Sequence, residues 1–168
     1  ITLSVMGINP TFNQEDVSRR FAAFLDVIVK KQIERLQYLG EMCVEHARLI
    51  PANVGFTDQT GNLRSSIGYV VFSDGVAVHD NFAQVKEGNT GIKEGQKLAK
   101  TIGSKYPEGV VLVVTAGMNY ALYVESKGRD VLTSAEHLAQ QELPKMLQKL
   151  VSNIETVSYT HLTLPTIR

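Results

Sequence analysis

Nucleophiles, imidazoles and carboxylates are all present in this chain, and their spacing decides what chemistry they support. The 168 residues include four histidines and one cysteine. His46, His79, His137 and His161 stand far apart. Cys43 and His46 lie three residues apart, with no further ligand at metal spacing, so no metal and no cofactor is expected. Ser65-Ser66 offers hydroxyls, but the Gly-x-Ser-x-Gly turn that exposes a nucleophilic serine is absent. Glu125 and Asp130 do not make an acid–base pair. Gly88, Gly91 and Gly95 lie among lysines, yet no Gly-Lys-Ser/Thr follows them, so they do not match a phosphate loop. Two readings stay open on these residues. One is a small hydrolase, in which folding gathers Ser66, His79 and Glu125. The other is a nucleic-acid-binding accessory, which requires the lysines from Lys86 to Lys105 to form one continuous basic patch.

Composition narrows the classes. Hydrophobic residues make up 43% and charged residues 20%, enough for a packed core and against disorder. Lys+Arg 17 balances Asp+Glu 17, which argues against a dedicated nucleic-acid binder. The longest aliphatic run is Val110 to Val114, far short of the ~20 residues of a membrane helix, so no membrane partner is expected. A lone Cys43 excludes an internal disulfide framework and suits a reducing compartment. No basic-then-apolar signal opens the chain, and a start at Ile1 suggests that residues precede it. Residues 157–168 resemble a translated transposase-type sequencing adapter, whose reading frame encodes Val157 to Thr166 in order. The expected domain is therefore residues 1–156, with 157–168 set apart as an artefact that adds nothing to stability.

The elements that must position these residues follow from periodicity. Ile1 to Val5 alternates weakly as a short strand, and Gly7 to Asn13 reads as a loop. From Gln14 to Ile50, Val17, Phe21, Leu25, Ile28, Leu36, Leu39, Cys43, Ala47 and Ile50 recur in helical steps. Asn13 caps this helix, Gly40 is a potential kink, and Pro51 ends it. Leu63 to Ser73 reads as a strand and Asp74-Gly75 as a two-residue hairpin turn, returning through Val76 to Phe82. A tight turn sets Phe72 opposite Ala77 and Val71 opposite Val78, with Ile67, Val71, Val78 and Phe82 facing the long helix. Ala83 to Pro107 is a glycine-bearing insertion with a short helix or irregular structure, open to mobility. Val110 to Val114 is apolar on both faces, as a central strand would be. Gly117 to Asn119 then turns into a second hairpin strand, Tyr120 to Val124. Thr133-x-x-Glu136 reads as a capping box for a helix to about Glu155, kinked or broken by Pro144 near Gln140. The fold class is α+β: a long N-terminal helix, a small mainly antiparallel sheet of two hairpins, and a C-terminal helix.

Two stretches carry a resemblance. They are Thr60-Gly61-Asn62-Leu63-Arg64-Ser65-Ser66-Ile67 and Tyr120-Ala121-Leu122-Tyr123-Val124-Glu125-Ser126-Lys127-Gly128. Set between a long helix and a closing helix, they resemble the HK-ninety-seven-type, gene-product-ten-like phage tail-component family. The chain departs from that pattern at Glu125-Ser126-Lys127-Gly128-Arg129, where Glu-x-Gly-Thr is usual. It departs again at Asp130 to Glu136, where the aromatic-Leu-x-Pro-Ala helix entry is usual. The resemblance implies a non-enzymatic virion part, a tail-completion or head–tail joining subunit, located in the virion and in the host cytoplasm during assembly. It implies a homomeric ring, six subunits being the expected number, that meets other neck and tail proteins and lets DNA pass without sequence-specific binding. Thr60, Gly61, Leu63, Arg64, Ser66, Ile67, Tyr120, Ala121, Tyr123, Val124, Glu125 and Gly128 are the motif or interface residues it marks. Tyr123 and Glu125 are expected at the subunit contact, with Arg64 as a partner for Glu125.

Overall fold

A computed structural model describes residues 13–162 of the chain, with side chains described to residue 156. The strand expected at Ile1 to Val5 lies outside the described residues. Helix α1 spans Gln14–Leu49 as one unbroken element. Asn13 caps it, its side-chain oxygen accepting from the Glu15 amide at 3.4 Å, and Glu15 and Asp16 sit in the positive first turn. Gly40 does not break the helix. A Cβ there would come within 2.6 Å of the Tyr69 ring, so the missing side chain lets the sheet approach.

The α+β class expected from the sequence holds, with a long N-terminal helix, a three-stranded antiparallel sheet and a C-terminal helix. Helix α2 (Asn62–Ser66) leads into β1 (Ile67–Ser73), β2 (Val76–Asn81), α3 (Asn89–Gly103) and β3 (Val110–Ala116). Helices α4 (Ala121–Ser126) and α5 (Thr133–Leu162) follow. The sheet order is β2-β1-β3. The central strand is therefore β1, not the apolar Val110 to Val114 run, which forms an edge. Along β1, Ile67, Tyr69 and Val71 face the cluster built with α1 and α5, while Val70 and Phe72 face a second cluster under α3. Each fully buried Val, Ile or Phe contributes about 1.5–3 kcal/mol, so β1 fixes both layers.

Several expectations need correcting. The first hairpin forms at Asp74-Gly75 with Phe72 opposite Ala77, but a register shift follows and Val71 pairs with His79. Val78 is displaced outward and 47% exposed, and Phe82 packs on the α3 side rather than on the long helix. A single extra residue suffices, because side chains alternate with period two. The second hairpin does not form, since Tyr120 to Val124 lies in and next to helix α4. Met118, Ala121 and Val124 meet the core at three-residue steps, a helical period that outweighs the tyrosine and valine content. Asn62–Ser66 is likewise a helical turn, so β1 starts at Ile67 rather than Leu63. Helix α5 is not broken at Pro144, and it continues past Glu155 to Leu162, into the adapter-like residues.

The insertion is an ordered helix. Gly91, Gly95, Ala99 and Gly103 recur every four residues along α3, and all are buried. They form one small-residue face that lies directly on the backbone of α2 and on the rings of Phe82 and Phe72. The glycines that lower helix propensity are the ones that permit this contact. We expect Gly91→Ala to destabilise the fold in urea, because the new Cβ would stand 2.0 Å from the Asn62 carbonyl oxygen. Overpacking of about 1–3 kcal/mol should outweigh the ~1 kcal/mol that alanine gains over glycine in a helix. Exposed Lys93→Ala on the same helix is the control and should change stability by no more than ~0.5 kcal/mol. Equal midpoints for the two variants would contradict this packing.

Candidate functional site

The motif residues gather at the joints between elements rather than at a catalytic centre. At the first joint, α1 ends with carbonyls that have no helical partner. The Arg64 guanidinium donates to the Arg48 carbonyl, to the Ile50 carbonyl at 3.0 Å and to the Phe56 carbonyl at 3.5 Å. It also lies 5.0 Å over the Phe56 ring. Asp58 holds the start of α2, accepting from the Gly61 amide at 2.9 Å and the Arg64 amide at 2.8 Å. Gly61 has φ +80°, and a Cβ there would lie 2.0 Å from the Val85 carbonyl oxygen, which accounts for glycine after Thr60.

The serines are structural in their contacts. Ser65 Oγ donates to the Val85 carbonyl at 3.2 Å and accepts from the Val85 amide at 2.7 Å. Ser66 Oγ donates to the Leu63 carbonyl at 2.7 Å and accepts from the Met118 amide at 3.4 Å. Leu63 and Ile67 are core residues, as is Ala121. His79 lies against the Tyr69 ring, with centroids 5.7 Å apart. No hydrogen bond joins Ser66, His79 and Glu125, so the geometry required by the hydrolase reading is not assembled. Cys43 is buried, its thiol 3.6 Å from the Ala135 carbonyl, and burial pushes its pKa up. Among the described residues, no group of three or more His, Cys, Asp or Glu is placed to hold a metal ion. No helix there is long and apolar enough to cross a membrane.

Glu125 has a different role from the one expected. One of its carboxylate oxygens accepts from the Leu132 amide at 3.1 Å, the Thr133 amide at 2.8 Å and the Thr133 hydroxyl at 2.6 Å. It therefore caps α5 from the preceding helix, together with Asp130, which accepts from the Ser134 amide at 3.2 Å. The Thr133-x-x-Glu136 box is not what caps this helix. Burial alone would raise the Glu125 pKa, but these hydrogen bonds outweigh it and the net shift is downward. Arg64 and Glu125 are both engaged inside the chain, so the expected Arg64–Glu125 contact between subunits is withdrawn.

A third joint was not foreseen. Glu41, in the C-terminal third of α1, accepts from Tyr69 Oη at 2.8 Å and from Asn81 Nδ2 at 2.9 Å. It ties the helix to β1 and β2. Burial and then the bond to Glu41 push the Tyr69 phenol well above its usual range. A lone Glu on a charged helical face carries no sequence signal for this role.

Apolar surface is left uncovered in several places. The N-terminal half of α1 presents Val17, Phe21, Leu25 and Val27 to solvent, with Phe21 62% exposed. Val17, Phe21 and Leu25 belong to the helical stripe read from the sequence, whereas Val27 lies on another face. The C-terminal continuation of the helix is buried, at Leu39, Cys43, Val44 and Ala47. On α4, Leu122 is 78% and Tyr123 64% exposed, with the Lys127 ammonium 5.3 Å over the Tyr123 ring. Beside α1, an apolar groove of about 810 Å³ opens between α1, β3 and α5, lined by Leu36, Leu39, Leu112, Leu143, Met146 and Leu150 among others. No family model, curated protein or solved structure matches the chain.

The lowered Glu125 pKa has a defined pH signature. Its stabilisation is fully present above the ordinary carboxylate value of 4.5 and is lost as pH falls through the lower folded value. We expect Glu125→Gln to be less stable than the parent chain by roughly 1 kcal/mol near neutral pH, the size of a lost helix cap. The difference should close as the pH is taken below 4.5. A difference that stayed constant through acid in chemical denaturation would show that the carboxylate charge plays no part.

Proposed function

We propose that the chain is a structural subunit that assembles with itself, a tail-completion or head–tail joining ring component of a tailed phage. The observation that carries this reading is the uncovered apolar stripe of α1. Val17, Phe21 and Leu25 repeat at helical spacing on a helix whose other half is core, and such a stripe is an interaction surface by default. The same chain holds an apolar groove between α1, β3 and α5. A helix arm on one copy seated in the groove of the next is a heterologous contact, the kind that closes into a ring when the rotation permits. Six subunits is the expected count, with other neck and tail proteins as neighbours. The exposed Leu122 and Tyr123 of α4 add a second contact surface. The motif residues Arg64, Ser66 and Glu125 serve this role indirectly, by holding the joints that set the arm and α4 in place.

Replacing Phe21 with Asp separates folding from assembly, because the side chain makes little contact within its own chain. Sedimentation velocity and negative-stain imaging of the parent chain should show closed rings. The Phe21→Asp variant should remain monomeric with its urea midpoint shifted by no more than ~0.5 kcal/mol. Tyr123→Ala should weaken assembly in the same way. Rings formed normally by Phe21→Asp, or a parent chain monomeric at every concentration, would overturn the reading.

A further inference from the structure

Helix α3 has two faces of opposite character. Its small-residue face lies on the sheet, and its outer face carries Lys93, Lys97 and Lys100. Steps of four and three residues place these lysines within an arc of about 60°. They form a row ~10 Å long, given a rise of ~1.5 Å per residue. All three are exposed, as are Lys105 and Tyr106 just past the helix end. The ion pairs among the described residues are Arg19–Asp16 and Lys145–Glu142, so none of these lysines is neutralised by one. Glu94 stands three residues before Lys97, about 60° around the helix, without an ion pair to it, and Asp80 accepts from Gln96 Nε2 at 3.3 Å. On a chain with no net charge, this concentration of cations is local.

We propose that the outer face of α3 is a sequence-independent binding surface for the phosphate backbone of duplex DNA. The inference goes beyond the assembly reading and does not depend on ring formation. Three features select this partner. Duplex DNA presents a negative charge every ~1.7 Å along its axis, so a rigid row of ammonium groups meets several phosphates at once. Rigidity is supplied by the packing of Gly91, Gly95, Ala99 and Gly103. The helix has no arginine, and its ammonium groups act as point charges rather than planar forks, which suits contact with phosphates more than with base edges. A membrane surface is a poorer fit, because an interfacial helix must insert an apolar face, and the non-lysine face of α3 is already buried against the sheet.

The test is fluorescence anisotropy of a labelled random-sequence duplex titrated with the full chain across a salt series. Three neutralised phosphates give a slope of log K against log salt of about −2.7 for each subunit engaged. The triple variant Lys93→Gln, Lys97→Gln, Lys100→Gln should lose that slope and the binding it measures, with an unchanged urea midpoint. The triple Lys→Arg variant should retain both. Two duplexes of different sequence should bind alike. Absence of duplex binding at low salt would overturn the proposal, as would an unchanged slope in the triple Gln variant. So would binding to anionic phosphatidylserine vesicles but not to the duplex.

Discussion

Strand β1 is buried on both faces, and the rest of the architecture answers to that constraint. Its residues Ile67 to Phe72 are all buried, in two clusters that lie on opposite sides of the sheet. A strand with water on neither side needs a cover for each face. Helix α1 supplies one, approaching so closely that Gly40 must lack a side chain beneath Tyr69. Helix α3 supplies the other, through a face of glycine and alanine with Ile102 packed beside it. That choice brings backbone against backbone at Gly91, Gly95 and Gly117, where any Cβ would stand within 2.5 Å of a neighbouring main-chain atom. The thinness of this layer leaves the lysine face of α3 as the outer surface of the molecule.

The joints engage several of the chemically capable residues that the sequence presents. Arg64 collects the terminal carbonyls of α1, Asp58 holds the start of α2, and Glu125 collects the first amides of α5. Helix ends leave donors and acceptors without intrahelical partners, and charged side chains satisfy several of them at once. The first half of α1 extends beyond what α5 and the sheet cover. Phe21 and Leu25 therefore have the periodicity of a core and the exposure of a surface.

Helix α1 was legible from sequence because its stripe and Asn13 cap agree, and the Asp74-Gly75 turn was legible because both residues accept positive φ. The bulge at Val78, opposite the step from Val71 to Phe72, was not, since an extra residue leaves no mark in composition. Tyr120 to Val124 was misread as a strand because a stretch this short satisfies period two and period 3.6 together. The glycines of α3 suggest a short helix or mobile insertion in sequence, and in the fold they are contact points. Their four-residue spacing was visible, but its meaning depends on what lies opposite, which only the fold supplies. The resemblance singles out Glu125 and Arg64, yet their partners within the chain, the Thr133 amide and the carbonyls of Arg48 and Ile50, are set by tertiary packing.

The central claim is that one half of α1 belongs to the core and the other half belongs to a neighbour. Hydrogen–deuterium exchange of the purified chain, followed as concentration is raised from dilute to assembling conditions, measures both halves at once. Amides of β1 and of residues 39–47 should be protected throughout, because their cover lies within the chain. Amides of residues 17–28 should exchange fast when dilute and become protected as copies meet. An arm that exchanges equally fast at every concentration, while the chain is shown to be associated by light scattering, would contradict the account.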